Sequence, residues 1–197
     1  MSVGCGNEVS DAVEQLQSDD PEVRQQGARV LAESSEETVS SLPQLIDSLK
    51  DSDPEVRKLA ARALGRLGSE AKDAVPALKE SLKDAEPPVQ LLAAWALVSI
   101  APDDTAPVEV LAKSAREGNP RSIVALGQMG PHAAKAVPAL IQALRTDKSL
   151  VQLQAIKALE KIGPAAKSAL PAISRLTKSR NEDLREAARL AKAAIEE

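Results

Sequence analysis

The chain has 197 residues and a formal net charge of −4 at pH 7, with one tryptophan and no phenylalanine or tyrosine. Its single cysteine, Cys5, and single histidine, His132, exclude an internal disulfide and any zinc site built mainly from thiolates and imidazoles. No run of about 18 apolar residues occurs, so no stretch reads as a membrane-spanning helix, and the interior must be made of Leu, Val, Ile and Ala.

Residues 1–9 (MSVGCGNEV) are small and polar and read as a flexible lead. The segment beginning at Asp11 predicts a helix that closes the N-terminal end of the folded chain. Residues 11–51 form a first unit with a weak helical stripe of Val23, Gly27, Val30 and Leu31, and Ser34-Ser35-Glu36-Glu37 as its turn.

Residues 52–84 are the clearest unit. Val56, Leu59, Ala60, Ala63, Leu64 and Leu67 fall on one face of an amphipathic helix. Asp53 before Pro54 is an N-cap followed by a proline at the first helical position, and Gly68 stands where a left-handed C-terminal residue is wanted. Val75, Leu78 and Leu82 mark a second helix, with Pro76 in its first turn and Asp73 as its expected cap.

The rest of the chain repeats this pair. Leu45, Leu78, Leu111, Leu140 and Ile173 recur at steps of 33, 33, 29 and 33 residues, and the second helices open on Pro43, Pro76, Pro107, Pro138 and Pro171. Ser40, Asp73, Asp104 and Ser168, three residues before four of these prolines, are expected caps; Lys135 is the exception. The short step implies that unit four lost about four residues, one helical turn, from its first helix near Pro120. Two helices of this size bury only one face against each other, so the units must stack. The expectation is an all-α array of about five helix pairs over residues 10–197, with terminal capping helices and no internal domain boundary.

Unit three departs from the pattern. Leu91, Trp95 and Val98 replace Lys58, Arg62 and Gly65 on the side expected to face water, and Val124 takes the place of Trp95 in unit four. Burial of such side chains contributes roughly 1.5–3 kcal/mol each, so the stripe reads either as covered by a neighbouring segment or as a protein-binding or homodimer patch. The charge is also uneven: residues 1–100 carry −8 and residues 101–197 carry +4. Arg116, Arg145, Arg175 and Lys178 are expected solvent positions of the later second helices, where an acidic partner segment would bind. Most such charge on a helical surface serves solubility.

The sequence D-P-E-V-R, then A-x-x-A-L-x-x-L-G, then A-V-P-A-L, as at 53–57, 60–68 and 74–78, resembles the HEAT-like repeats of bacterial proteins, including the PBS-lyase HEAT-like type. The resemblance covers roughly residues 10–197. It implies a right-handed α–α superhelix, first helices on the convex side and second helices lining the concave side. It implies a non-catalytic protein-interaction scaffold without cofactor or small-molecule substrate, acting as a monomer or weak homodimer. It also implies that Asp20/Arg24 and Asp53/Arg57 form a ladder of inter-repeat hydrogen bonds.

Two other functions compete with the scaffold. A nucleic-acid-binding module would use the basic C-terminal concave face, but the net charge is negative and the sole aromatic lies on a first helix. A bilin lyase-related accessory subunit is suggested by the family name alone. No catalytic triad, phosphate loop or nucleophile elbow is written in the chain. Around Cys5, V-G-C-G-N reads either as a free thiol or as similar to the lipobox of bacterial lipoproteins, which requires an upstream signal segment. The first reading implies a cytoplasmic protein; the second implies a periplasmic or membrane-tethered one, lipidated at Cys5.

Overall fold

The structure is a computed structural model describing residues 5–34 and 38–197, and of Cys5, Gly6, Asn7 and Thr38 the backbone only. The turn expected at Ser34–Glu37 therefore lies largely outside the described residues, as do the first four residues of the expected lead. The remainder of that lead is the start of a helix. The described residues are helical with short connections, and they divide into two compact units, Met1–Ala101 and Pro102–Glu197.

The first unit holds α1 (Cys5–Gln15), α2 (Pro21–Glu33), α3 (Leu42–Ser48), α4 (Pro54–Leu67), α5 (Val75–Ser81) and α6 (Pro87–Ile100). The first helices stack in a row, α1 on α2, α2 on α4 and α4 on α6, and each second helix lies against the next first helix, α3 on α4 and α5 on α6. Leu31, Leu45, Leu64, Leu78 and Leu97 are fully buried at its centre. The apolar spacing of 3 and 4 residues turns these side chains to one face of each helix, and the stack removes that face from water. Close approach is enforced by small residues. A Cβ on Gly65 would lie 3.0 Å from the Cα of Ala96, so α4 and α6 touch backbone to side chain there.

The second unit repeats the plan with α7 (Val108–Arg116), α8 (Pro120–Gln128), α9 (Val137–Ala143), α10 (Ser149–Ile162), α11 (Leu170–Leu176) and α12 (Glu182–Glu196). Here α8, α10 and α12 form the row, while α7, α9 and α11 lie against them and α7 also packs on α9. Gly127 meets Ala158 as Gly65 meets Ala96, at 3.0 Å. The missing turn is visible directly: α8 has 9 residues where α4, α6 and α10 have 14 each.

Helix starts follow two different chemistries. Four first helices are capped by side chains: Asp20 accepts from the Glu22 N–H, Asp53 from those of Glu55 and Val56, Asn119 from those of Arg121 and Ser122, and Asn181 from that of Leu184, whereas α6 and α10, behind Glu86 and Lys148, have no such bond. Second helices are not. Asp73 lies inside a 3₁₀ turn, Gly68–Ala74, and Ser168 inside another, Gly163–Ala169. None of α3, α5, α7, α9 and α11 receives a side-chain cap bond. The caps expected at Ser40, Asp73, Asp104 and Ser168 are thus corrected: a 3₁₀ turn leads into α3, α5, α9 and α11, and its carbonyls take up the first N–H groups.

The expected ladder of bonds between repeats is present, and the structure supplies its partners. Arg57 donates from Nε and Nη2 to both carboxylate oxygens of Asp84, at 2.7 and 2.9 Å, and from Nη1 to the carbonyls of Asp51 and Ser52. Arg24 repeats this with Asp51 and the carbonyls of Ser18 and Asp19. Each arginine therefore ties the loop before its repeat to the loop after it. Asp20 and Asp53 are instead committed to capping, although Asp53 also accepts from Gln25 Nε2 at 3.0 Å. The Arg57 bonds hold the Asp84 carboxyl below the ordinary carboxylate range, against the upward push of its burial. Burial pushes Asp51 up most strongly, but the Arg24 bond and the Asp53 N–H together outweigh it and hold this carboxyl low too.

Candidate protein-binding groove

The second unit contains a groove of about 560 Å³ bounded by the C-terminal end of α7, the exposed side of α9 and the start of α10. Pro138, Ile141, Ala143 and Val151 supply apolar lining; Arg116, Arg145 and Lys148 bring three cations, with Glu117 the one carboxylate and Gln142 a side-chain amide. Arg116 ends α7, where a cation is favoured by the helix dipole. Arg145 follows α9 in the turn that leads to Lys148.

Both banks are fixed by polar contacts beneath them. Under the α7–α8 turn, Ser122 Oγ donates to Ser114 Oγ at 2.9 Å in a buried pair, and the Asn119 N–H donates to the Ser114 carbonyl. Beside Arg145, Gln152 Nε2 donates to the carbonyls of Leu144 and Thr146, at 3.1 and 2.8 Å. The cations therefore project from turns that are already ordered, so docking on them orders side chains rather than backbone.

Of the residues singled out in the sequence, the groove brings together Arg116 and Arg145. Arg175 on α11 and Lys178 beyond it are exposed but outside its lining. Leu91 and Trp95 on α6 are half-buried, whereas Val98 is 4% exposed. Val98 is thus buried, and the expected three-residue outer stripe does not hold at this position. Val124 is 38% exposed on α8, beside a shallow cleft of about 80 Å³ with Lys157 and Lys161 at its rim. Cys5 is the first residue of α1. His132 Nε2 lies 3.3 Å from Asp103 Oδ1 at the surface. Among the described residues, no group of three or more His, Cys, Asp or Glu is placed to hold a metal ion.

Two features of the groove escaped the sequence reading. Lys148 is one. The other is a register: the residue five positions after each core Leu or Ile is a cation in every repeat, namely Lys50, Lys83, Arg116, Arg145 and Lys178, and all five are exposed. The residue after the cation changes along the chain. Asp51, Asp84 and Glu117 follow the first three cations, whereas Thr146 and Ser179 follow the last two. The basic character of the later repeats thus comes as much from lost carboxylates as from added cations.

A family profile described as HEAT repeats matches residues 9–97, 42–125 and 108–193. No curated protein matches the sequence. Among solved structures, the chain is similar to an engineered protein, at 27% identity over 96% of this chain and 97% of that one, with a TM-score of 0.73. It is similar in fold to a designed armadillo repeat protein in complex with the peptide (KR)4, at 22% identity, covering 95% and 99% of the two chains with a TM-score of 0.75. It also shares its fold with the complex of CpcE and CpcF of phycocyanin lyase from Nostoc sp. PCC7120, at 24% identity, covering 95% and 76% with a TM-score of 0.63. With its helix pairs, its 33-residue step and a profile match spanning nearly its whole length, the chain belongs to the HEAT-repeat family.

Proposed function

We propose that the protein is a non-catalytic scaffold that binds a protein partner through the groove between α7, α9 and α10. The observation that carries this reading is the groove itself: an apolar floor, three cations and an amide on turns held in place from below. Such a surface offers charge and shape complementarity but no nucleophile–base pair within it. The designed repeat protein in complex with the peptide (KR)4 supports the reading as a similar fold that holds a peptide. The fold shared with the lyase complex supports an accessory role no further than the fold.

A nucleic-acid partner is favoured by the same three cations. It is disfavoured by the absence of aromatic residues in the lining, because single strands gain much of their affinity from stacking on aromatic rings. The test is photo-crosslinking from a reactive residue placed at Gln142, in nuclease-treated and untreated extracts of the native host, with the same residue at Lys72 as control. A protein adduct specific to position 142, and lost in Arg116→Glu/Arg145→Glu, is the expected result. Adducts equal at both positions remove the assignment of the groove, and an adduct abolished by nuclease selects the nucleic-acid reading.

A further inference from the structure

Resting on that reading, we infer that the groove's partner is an extended acidic segment of a polypeptide, with carboxylates on every third residue. Three observations lead there. First, the charge facing the groove is Arg116, Arg145 and Lys148 against Glu117 alone, which selects an anionic ligand. Second, Gln142, exposed on α9, presents an amide, with donors and an acceptor, in the same lining as Arg116 and Arg145. A helical ligand has its backbone N–H and C=O groups satisfied internally; an extended one has them free to meet this amide. Third, Arg116 ends α7 and Arg145 follows α9, each five residues past its core leucine, and the two helices pack against each other. Packed helices lie about 8–10 Å apart. A polyproline-II chain returns to the same face every three residues, after about 9.3 Å. A β-strand returns after two, at about 6.6 Å, and falls short of the gap.

The register adds a reason for directionality of charge. Thr146 replaces the carboxylate that directly follows the cation in the first unit, and the nearest carboxylate in sequence, Asp147, is outside the groove lining. At Arg116 an incoming carboxylate meets Glu117, so the Arg145 end contributes more.

The test is fluorescence anisotropy of the full chain with labelled synthetic peptides of one composition, Glu, Pro and Ser. One has glutamate at every third position, one has its glutamates contiguous, and a third carries lysine in place of glutamate. The spaced peptide is expected to bind about tenfold more tightly than the contiguous one, and to lose about tenfold on Arg145→Glu. Arg62→Glu, an exposed site on α4, should leave its affinity unchanged. Equal affinity for spaced and contiguous peptides overturns the register, as does insensitivity to Arg145→Glu. Preference for the lysine peptide, or no binding of any peptide while crosslinking at position 142 still captures a protein, overturns the acidic partner but leaves the scaffold reading standing. Concentration-dependent self-association by light scattering, abolished by Arg145→Glu, would assign the groove to the acidic half of a second copy and likewise overturn it.

Discussion

Arg57 carries much of the local structure, since four hydrogen bonds join it to the loops on either side of its repeat. Replacing it with Met keeps the aliphatic stem and removes those bonds, and should lower stability by about 1–2 kcal/mol, read as a lower urea midpoint by circular dichroism. The pH dependence arises from the carboxylates. Asp51 and Asp84 are held low in the folded chain, so the unfolded chain binds protons first as pH falls. Their contribution is complete above the ordinary carboxylate range near pH 4 and is lost as pH falls through the depressed folded values. Asp84→Asn should therefore be less stable than the parent at neutral pH and lose less on acidification to about pH 3, measured as urea midpoints at the two pH values. The sequence made Arg24, Arg57 and Asp53 legible as members of a ladder between repeats, but not which atoms meet. One oxygen of Asp20 and of Asp53 caps its own helix, and each arginine reaches a carboxylate 27 residues onward.

At the scale of the helix, the apolar register was legible throughout, because Leu and Ala at spacings of 3 and 4 admit no other regular structure. The lost turn in α8 was legible too, since only one step of the repeat is 29. The starts of the second helices were not. Ser and Asp three residues before a proline look like caps, but a 3₁₀ turn satisfies the same N–H groups with backbone alone, and sequence does not separate the two. Small residues at helix contacts were also under-read. Gly65 looked like a wet-face position, whereas it is where α4 touches α6. Gly127→Val should accordingly destabilise the second unit by about 1–3 kcal/mol, because the new Cβ meets the Cα of Ala158 at 3.0 Å and backbone cannot yield as a side chain does. Thermal unfolding of the variant beside Arg121→Val, an exposed site on the same helix, checks it.

For the molecule as a whole, the net charge of −4 conceals halves of −8 and +4. Two consequences are measurable. An acidic ligand should associate more slowly as ionic strength rises, with dissociation changing less, in stopped-flow traces across a salt series. Reversal of Arg145 should flatten that salt dependence, whereas reversal of Arg62 should not. Function was less legible than fold at this scale. Arg116 and Arg145 were read correctly as exposed cations, but that they share a groove with Lys148, and that Val98 is buried, depends on how helices distant in sequence come together.

The cation placed five residues past each core Leu or Ile has a consequence for how such a protein changes over generations. Duplication of residues 130–162 in frame, one 33-residue period from glycine to glycine, inserts one more basic residue in the same register and breaks no helix. If the groove reads an acidic segment as inferred above, a single genetic event thereby lengthens that segment by one anionic position. Repeat number becomes an inherited measure of ligand length, adjustable without altering any existing residue.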